Sequence, residues 1–380
     1  MSLKANLRRK SPFRAEHVGS LLRPDDLLKA RQALEEGKLS QDELYGLEDV
    51  AVKEIVELQL SLGLHAISDG EYKRFLVWGS LFPGLEGFEQ VKNPPWEISR
   101  DYMPDVAPFA DSEIHETLLC TGKIKHVGST YLREWDYLRS IVSAKRLHEC
   151  KITLPAPEWY HMRYREGRAY PKEVYSNDDQ YFADIASAYQ NELQTLYEHG
   201  ARNIQFDDPN LASLLDVYIA LYNSCISKRP ADMHVGVHIC RGNFIGGRHF
   251  SEGGYDRVAK KLFQTMNVDT FYLEYDTPRA GGFEPLAALP KDKNVILGVI
   301  SSKLPQLEDP EKMKERVWQA ADIIAEGNSE TRSKALGRMG VSPQSGFASI
   351  ALGNDIDKEA MIKKLKSVRE VANLIWPGEP

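Results

Sequence analysis

The stretch Val235-Gly-Val-His-Ile-Cys-Arg-Gly-Asn243 has the pattern of a buried strand that ends in a glycine turn. Residues two apart on a strand project to the same face, so His238 and Cys240 are expected side by side. An imidazole and a thiolate suit zinc, which accepts nitrogen and sulfur ligands. The alternative is that Cys240 is a small core residue and His238 is its hydrogen-bonded neighbour.

Similar apolar, β-branched strands recur on both sides of this stretch, and a helical pattern follows most of them. We predict eight strands, near residues 14, 65, 151, 203, 235, 270, 294 and 339. Alternating helices and apolar strands predict an α/β protein whose parallel sheet is covered on both faces. Eight such units predict a (β/α)8 TIM barrel. A doubly wound open sheet is the alternative, although no Gly-x-Gly-x-x-Gly turn follows an early strand.

Capping signals predict the boundaries of two helices. Ser40 and Glu43 have the spacing of a capping box, and Gly63 is expected to end the helix that follows. Asp309 as N-cap and Pro310 in the first turn predict the start of a later helix, which ends at Gly327.

One region departs from the alternation of strands and helices. Between about residues 73 and 150, prolines break the pattern into loops, with one hairpin strand predicted at 118–126 and a helix at 131–143. Long connections of this kind in compact domains are usually lids or binding loops. We therefore expect a single domain over residues 1–380, with a loop and hairpin insertion at about 73–150 after the second strand. A separate small domain is the alternative.

Composition narrows the classes of function. The 380 residues are 42% hydrophobic and 27% charged, with a net charge of −7 and no basic block, which argues against a nucleic-acid partner. The four cysteines are too scattered for a disulfide framework. The N-terminus lacks the apolar core of a secretory signal, and no apolar run is long enough for a membrane span. We expect a cytoplasmic protein with small-molecule partners, although a short organellar leader stays open.

Polar side chains lie where the predicted strands end: Ser20, Asp69, Glu71, Asp207, His238, Cys240, Glu274, Ser301 and Ser345. In a (β/α)8 barrel these strand ends meet at one mouth, where catalysis takes place. Asp and Ser also occur in ordinary turns, so each residue alone fits a turn equally well. Because these polar residues end several different strands of the predicted barrel, we favour one shared site.

Glu274 ends the strand that follows the one with His238 and Cys240. Adjacent strands are about 4.8 Å apart, so its carboxylate can complete a set of three ligands. Three protein ligands and an open fourth position are typical of catalytic zinc. The open position can accept a substrate thiol and hold it as the reactive thiolate.

Two further groups fit the rest of such a substrate. Glu71 and Asp207 are suited to hold an ammonium group, and the backbone around Gly19 and Ser20 is suited to a carboxylate. Together these groups indicate an amino acid that carries a thiol.

Six motifs lie between residues 14 and 347: Arg14-Ala-Glu-His-Val-Gly-Ser-Leu-Leu-Arg-Pro24, Asp69-Gly-Glu-Tyr-Lys-Arg74, Ile204-Gln-Phe-Asp-Asp-Pro209, His238-Ile-Cys-Arg-Gly-Asn243, Phe271-Tyr-Leu-Glu-Tyr-Asp276 and Ser342-Pro-Gln-Ser-Gly-Phe347. Together they resemble the cobalamin-independent methionine synthase family, and the resemblance runs from about residue 12 to 376. The resemblance is closer to its short, single-barrel branch, which lacks the N-terminal half of the full-length enzymes. It implies a (β/α)8 barrel in which zinc activates homocysteine to take a methyl group from 5-methyltetrahydrofolate, with the number of glutamates on the folate left open.

The resemblance also implies a role for each matching residue. The implied zinc ligands are His238, Cys240 and Glu274. The implied catalytic and substrate-binding residues are Glu71 and Asp207 at the homocysteine amino group, the Ser20 turn at its carboxylate, His17 in the same motif, and Trp159 stacked on the pterin.

Two positions depart from the family pattern. Ser345 stands where the family has a final zinc-ligand cysteine, which is expected to weaken the binding of zinc. Ile300-Ser301-Ser302 stands where the full-length members carry a proton-handling histidine. General acid catalysis accelerates a reaction roughly 10²–10⁴-fold. Without this histidine, no residue is assigned as the proton donor.

These observations favour a methyltransferase that moves a methyl group from 5-methyltetrahydrofolate to a zinc-activated thiol, most simply homocysteine to give methionine. The first alternative is a related thiol alkyl-transferase or C–S bond enzyme with another donor or acceptor. The second is a non-catalytic binder of a pterin or an amino acid. The sequence also allows a homodimer.

Overall fold

In the described part of the chain, six parallel strands form one sheet, in which each strand lies beside the next one along the chain. All six are buried almost throughout, which explains their continuous apolar character. The sequential order differs from a doubly wound sheet, whose strand order reverses at a switch point. The strands are β3 (Ile152–Pro155), β4 (Asn203–Asp208), β5 (His234–Ile239), β6 (Thr270–Glu274), β7 (Asn294–Ile300) and β8 (Met339–Pro343).

The computed structural model describes residues 12–74, 84–92, 116–161, 169–209, 211–243, 253–349 and 353–380. Within these ranges, the first two predicted strands are single parallel bridges, Ala15 with Val341 and Ile67 with Cys150. They lie beside β8 and β3, the two edges of the sheet. A hydrogen bond of 3.1 Å from the Leu21 amide to the Gly70 carbonyl joins the two segments.

The short bridges have a clear cause, because side chains take up the backbone groups that a longer ladder would use. The Phe13 amide donates to Glu16 Oε1 at 2.9 Å, and the Ser68 amide donates to Gln59 Oε1 at 3.0 Å. The expected strands near residues 14 and 65 are therefore found at the predicted places, but as single bridges and not as longer ladders.

Polar side chains attach the first segment to the sheet interior. Lys151 Nζ donates to the His17 carbonyl and, at 2.8 Å, to Gln205 Oε1. The hydroxyl of Tyr272 donates to Glu16 Oε2 at 2.6 Å. Buried polar groups are tolerated when they are paired in this way.

Helices follow most of the strands, as the alternating pattern predicts. Helix α2 begins with the predicted capping box of Ser40 and Glu43. The Asp309 side chain accepts from two amides at the start of α7. The helices are α1 (Asp25–Glu35), α2 (Gln41–Ser61), α3 (Leu132–Ile141), α4 (Asp178–Glu198), α5 (Leu215–Cys225), α6 (Ala259–Thr265), α7 (Pro310–Asn328), α8 (Arg332–Leu336) and α9 (Lys358–Ile375).

The prediction that α7 ends at Gly327 is wrong. The helix continues to Asn328, and Ser329 caps it in the left-handed conformation with a φ of 51°. A Cβ atom at Gly327 would lie 2.2 Å from the Ala287 carbonyl oxygen. Gly327 is therefore required for close packing of α7 against the 3-10 helix Glu284–Ala288.

Strands β1 (Leu85–Lys92) and β2 (Glu116–His126) form an antiparallel pair, and β2 includes the predicted strand at 118–126. The predicted helix at 131–143 corresponds to α3. Residues 75–83 and 93–115 lie outside the described ranges, so the insertion at 73–150 stays a prediction. All four cysteines are free and buried. In the described part of the chain, no helix is long and apolar enough to cross a membrane.

Candidate functional site

Three potential metal ligands meet at the carboxyl ends of β5 and β6. The donor atoms of His238, Cys240 and Glu274 all lie within 4.8 Å of one another, and all three side chains are buried. His238 Nε2 is 3.9 Å from Glu274 Oε1. We call these three residues the ligand cluster.

The parallel register explains why these side chains converge. Asp207 on β4 pairs with His238 on β5, and His238 pairs with Tyr272 on β6, two residues before Glu274. Cys240 lies just beyond β5, where its amide donates to the Asp208 carbonyl at 2.8 Å. Its Sγ accepts from the Gly242 amide at 3.3 Å, so the glycine turn orients the thiol.

Burial sets the protonation of the ligand cluster. Burial lowers the pKa of His238 to about 3, although the backbone of Tyr272 acts in the opposite direction. Burial raises the pKa of Glu274 to about 7, and the nearby Lys303 ammonium opposes this shift. Burial, followed by the charges of Glu274 and Asp207, raises the pKa of Cys240 well above its ordinary value. The cluster therefore has a neutral imidazole and two acids that a cation would help to ionise.

Asp207 lies beside the ligand cluster, and the carboxylate of Glu71 lies close enough to Asp207 to act on its pKa. Asp207 Oδ1 is 3.7 Å from His238 Nε2, and burial followed by the charge of Glu71 raises the pKa of Asp207 well above its ordinary value. Glu71 Oε1 accepts from the Thr153 hydroxyl at 2.7 Å. Within the described ranges, Asp207 Oδ1 and Glu71 Oε2 are buried without a hydrogen-bond partner. Two unused acceptors of this kind fit a cationic ligand group.

The backbone at Glu71 adopts a conformation that is rare for a residue with a side chain. Its φ is 63°, in the left-handed region that favours glycine. The Glu71 amide donates to Asp69 Oδ1 at 3.0 Å, which stabilises the turn. Such outliers concentrate at binding sites, because the strain positions a functional side chain.

Ser345 lies next to Cys240, in the turn that follows β8. Its Oγ is 3.8 Å from Cys240 Sγ, so the hydroxyl borders the ligand cluster. The following Gly346 has no room for a side chain, because a Cβ there would lie 1.9 Å from Ser20 Oγ. The turn after β8 is thereby held against the Ser20 turn.

The other predicted substrate residues lie around this centre rather than in it. Ser20 is buried, and its Oγ accepts from the Ala348 amide at 3.4 Å. Trp159 lies half-buried in the 3-10 helix Pro157–His161, directly after β3. His17 Nε2 is 2.9 Å from Gln59 Oε1 on α2, so the imidazole faces this helix. The roles of these three residues stay predictions.

Two cationic residues that we did not predict lie beside the ligand cluster. Lys303 comes directly after the Ile300-Ser301-Ser302 stretch, and its Nζ donates to the Gly242 carbonyl at 2.9 Å. Arg279 Nη2 is 3.5 Å from Glu274 Oε2. The sequence could have indicated Lys303, because it is a charged residue shortly after the end of a predicted strand. The position of Arg279, by contrast, depends on the path of the loop after β6.

The fold and the site together define an α/β protein with a metal-capable nitrogen, sulfur and oxygen cluster at the carboxyl ends of its parallel strands. The model of the catalytic domain of cobalamin-independent synthases matches residues 169–374, which is more than half of the chain. The chain belongs to this family.

Relatives cover almost the whole chain. The Bacillus subtilis protein YxjG is 33% identical over 98% of this chain and 97% of its own length. The structure of a putative vitamin-B12 independent methionine synthase from Listeria monocytogenes is 28% identical, with a TM-score of 0.74 over 97% of this chain and 99% of that one. A B12-independent methionine synthase from Shewanella sp. W3-18-1, solved in complex with selenomethionine, has a TM-score of 0.68 at 18% identity, over 96% of this chain and 98% of its own, and supports the fold alone.

Proposed function

We propose that this protein is a methyltransferase that moves a methyl group from a 5-methyltetrahydrofolate to the thiol of homocysteine, giving methionine. The observation that carries the proposal is the ligand cluster, which lies next to Asp207. Asp207 Oδ1 and Glu71 Oε2 are unused carboxylate oxygens within the described residues. Membership of the cobalamin-independent synthase family supports the same reaction class.

The donor set fits zinc. One imidazole nitrogen, one sulfur and one carboxylate oxygen would hold the metal and would leave one coordination position for a substrate. His238, whose pKa is lowered to about 3, is neutral at physiological pH, which is the form that binds a metal. Burial raises the pKa values of Cys240 and Glu274 even with the Lys303 ammonium nearby, so both groups would gain from a bound cation. Bound zinc would supply this charge and would lower the pKa of a coordinated substrate thiol.

The protein's own groups then bind and orient the amino acid. Asp207 Oδ1 and Glu71 Oε2 accept hydrogen bonds from its ammonium group, which compensates their buried charge. The Ser20 turn binds the carboxylate, with His17 in the same segment. Trp159, after β3, stacks on the pterin of the methyl donor.

We also propose a fold, a domain organisation and a cellular location for the whole chain. The two edge bridges support closure of the sheet into a (β/α)8 barrel, formed by a single domain with an insertion at about 73–150. Closure brings the carboxyl ends of all strands to one mouth. We propose a cytoplasmic location, which fits the four free cysteines.

Ser345 supports a second candidate, a thiol alkyl-transferase with another donor or acceptor. Its hydroxyl borders Cys240 where the family pattern has a thiolate, and the ammonium of Lys303 follows the stretch without the family histidine. Both differences alter the charge around the reacting thiol. A different thiol is therefore the main competitor of homocysteine.

Zinc binding and methyl transfer test the two candidates together. We expect one zinc per chain by elemental analysis, lost in Cys240→Ala and retained in the control Cys120→Ala, whose side chain lies on β2. We expect methionine to form from homocysteine and 5-methyltetrahydrofolate. A protein that binds no zinc contradicts the proposal, whereas turnover of another thiol without homocysteine favours the second candidate.

A further inference from the structure

The two carboxylate oxygens of Glu274 have different surroundings. Oε1 faces His238 Nε2 at 3.9 Å and accepts from the Arg241 amide at 3.1 Å. Oε2 lies 3.5 Å from Arg279 Nη2. One oxygen is therefore directed into the ligand cluster and the other is paired with a guanidinium.

The loop after β6 holds Arg279 in this position. Arg279 lies in the 3-10 helix Pro278–Ala280, and its carbonyl oxygen accepts from Arg241 Nη1 at 3.2 Å. The Arg241 guanidinium is 4.6 Å from the ring centre of Tyr255, whose hydroxyl accepts from the Glu274 amide at 3.0 Å. The contacts form a closed chain, which runs from the Glu274 carboxylate through Arg279, Arg241 and Tyr255 to the Glu274 amide. The ion pair is thus part of an ordered arrangement and not an isolated surface contact.

We propose that Arg279 is a positioning residue, which holds Glu274 Oε2 so that Oε1 stays directed at the metal position. This inference rests on the proposed function, because it assigns Glu274 as a ligand. The terminal torsion of a glutamate side chain has broad preferences, so an unrestrained carboxylate samples several orientations. Hydrogen bonds to a ligating carboxylate remove this freedom, and their loss costs about 10–100-fold in metal affinity.

Charge acts in the opposite direction, because a guanidinium repels a metal cation. The Arg279 side chain is 17% exposed and Glu274 is fully buried, so neither charge is strongly screened by solvent. We expect the loss of orientation at Glu274 to outweigh the relief of repulsion, so that removal of the guanidinium weakens the binding of zinc. A lower zinc affinity without the guanidinium indicates that orientation dominates, whereas a higher affinity indicates that charge repulsion dominates.

The test is the zinc affinity of wild type, Arg279→Met and Arg279→Lys, measured by competition with a chromogenic chelator. We expect affinity to fall about 10–100-fold in Arg279→Met and to recover in part in Arg279→Lys. The control is Arg229→Met, because Arg229 is 20% exposed and pairs with Asp269 at the other end of β6, at 2.7 Å. Arg229→Met is expected to keep the wild-type affinity.

A double-mutant cycle shows whether Arg279 acts through Glu274. In a Glu274→Gln background, Arg279→Met is expected to cause little further loss, because coupled residues are non-additive. An unchanged or tighter affinity of Arg279→Met, or an equal loss in both backgrounds, overturns the inference and leaves the proposed function intact. A wild-type protein that binds no zinc overturns both.

Discussion

Ser345 determines how many anionic ligands the metal position can have. Its Oγ lies 3.8 Å from Cys240 Sγ, close enough for a residue at 345 to contact the same cation. A serine hydroxyl does not ionise at neutral pH, so Cys240 and Glu274 would be the anionic donors if a cation binds at the ligand cluster. Softer thiolate ligands bind zinc more strongly than hydroxyl groups. The serine is therefore expected to give a weaker but more open metal site.

A substitution at this position measures the effect directly. We predict that Ser345→Cys increases zinc affinity by at least tenfold (about 1.4 kcal/mol) when measured by chelator competition in the presence of a reductant. Ser367→Cys, which also replaces a buried serine but lies on α9, is the control and should leave the affinity unchanged. An unchanged affinity in Ser345→Cys would mean that residue 345 does not reach the metal.

The proximity of His238, Cys240 and Glu274 was predictable, because it follows from the period of a strand and the adjacency of consecutive strands. The contact of Arg279 with Glu274 was not predictable in this way. It depends on a loop whose path is fixed by tertiary contacts, including the cation–π contact of Arg241 with Tyr255. Sequence periodicity carries no information about such a path.

At the scale of elements, the order of the sheet strands and the starts of α2 and α7 followed from local signals. The N-cap Asp309 begins α7 because its side chain accepts from the backbone amides of the first turn. The lengths of the segments at Ala15 and Ile67 did not follow, because buried side chains replace part of the ladder there. The role of Gly327 was misjudged for a similar reason, since a packing contact and not a helix end requires it.

Two helical glycines are expected to respond in opposite ways to alanine. Gly327→Ala should lower the free energy of unfolding by about 1–2 kcal/mol, because the clash with the Ala287 carbonyl exceeds the gain in helix propensity. Gly46→Ala on α2 should raise it by about 0.5–1 kcal/mol, because a Cβ there meets nothing within 4 Å in the described part of the protein. Urea denaturation measures both. A stabilised Gly327→Ala variant would contradict the packing role.

At the scale of the whole molecule, a buried carboxyl group couples stability to pH. Glu158 follows β3 and is fully buried, and neither of its oxygens accepts a hydrogen bond within the described ranges. Burial, followed by the charge of Asp208, raises the pKa of Glu158 well above its ordinary value. Asp208 accepts hydrogen bonds from the Leu211 amide and the Tyr222 hydroxyl, both at 2.8 Å. Glu158 is therefore the neutral member of this pair.

This arrangement predicts the sign of a pH effect. A carboxyl group whose pKa is raised by folding supports the folded state below its unfolded pKa, and this support is lost as pH rises towards the folded value. Between the two pKa values the loss is about 1.4 kcal/mol per pH unit. We predict that Glu158→Gln removes this dependence, so that its stability relative to wild type increases from pH 5 to pH 8 in urea denaturation.

A second glutamate provides a control of opposite sign. Burial tends to raise the pKa of Glu149, but hydrogen bonds from His65 and Arg146 outweigh burial and lower it. Stability from Glu149 is therefore present above its unfolded pKa, and Glu149→Gln should be destabilising at neutral pH.

If Glu158→Gln showed the same pH dependence as wild type, Glu158 would not be the neutral group of the pair.

The central claim is that His238, Cys240 and Glu274 hold one zinc ion and leave a position for a substrate thiol. X-ray absorption of the zinc-loaded protein, recorded with and without homocysteine, counts the sulfur atoms bound to the metal. The account predicts one sulfur neighbour in the free protein and two after homocysteine is added. A sulfur count that stays at one would contradict it.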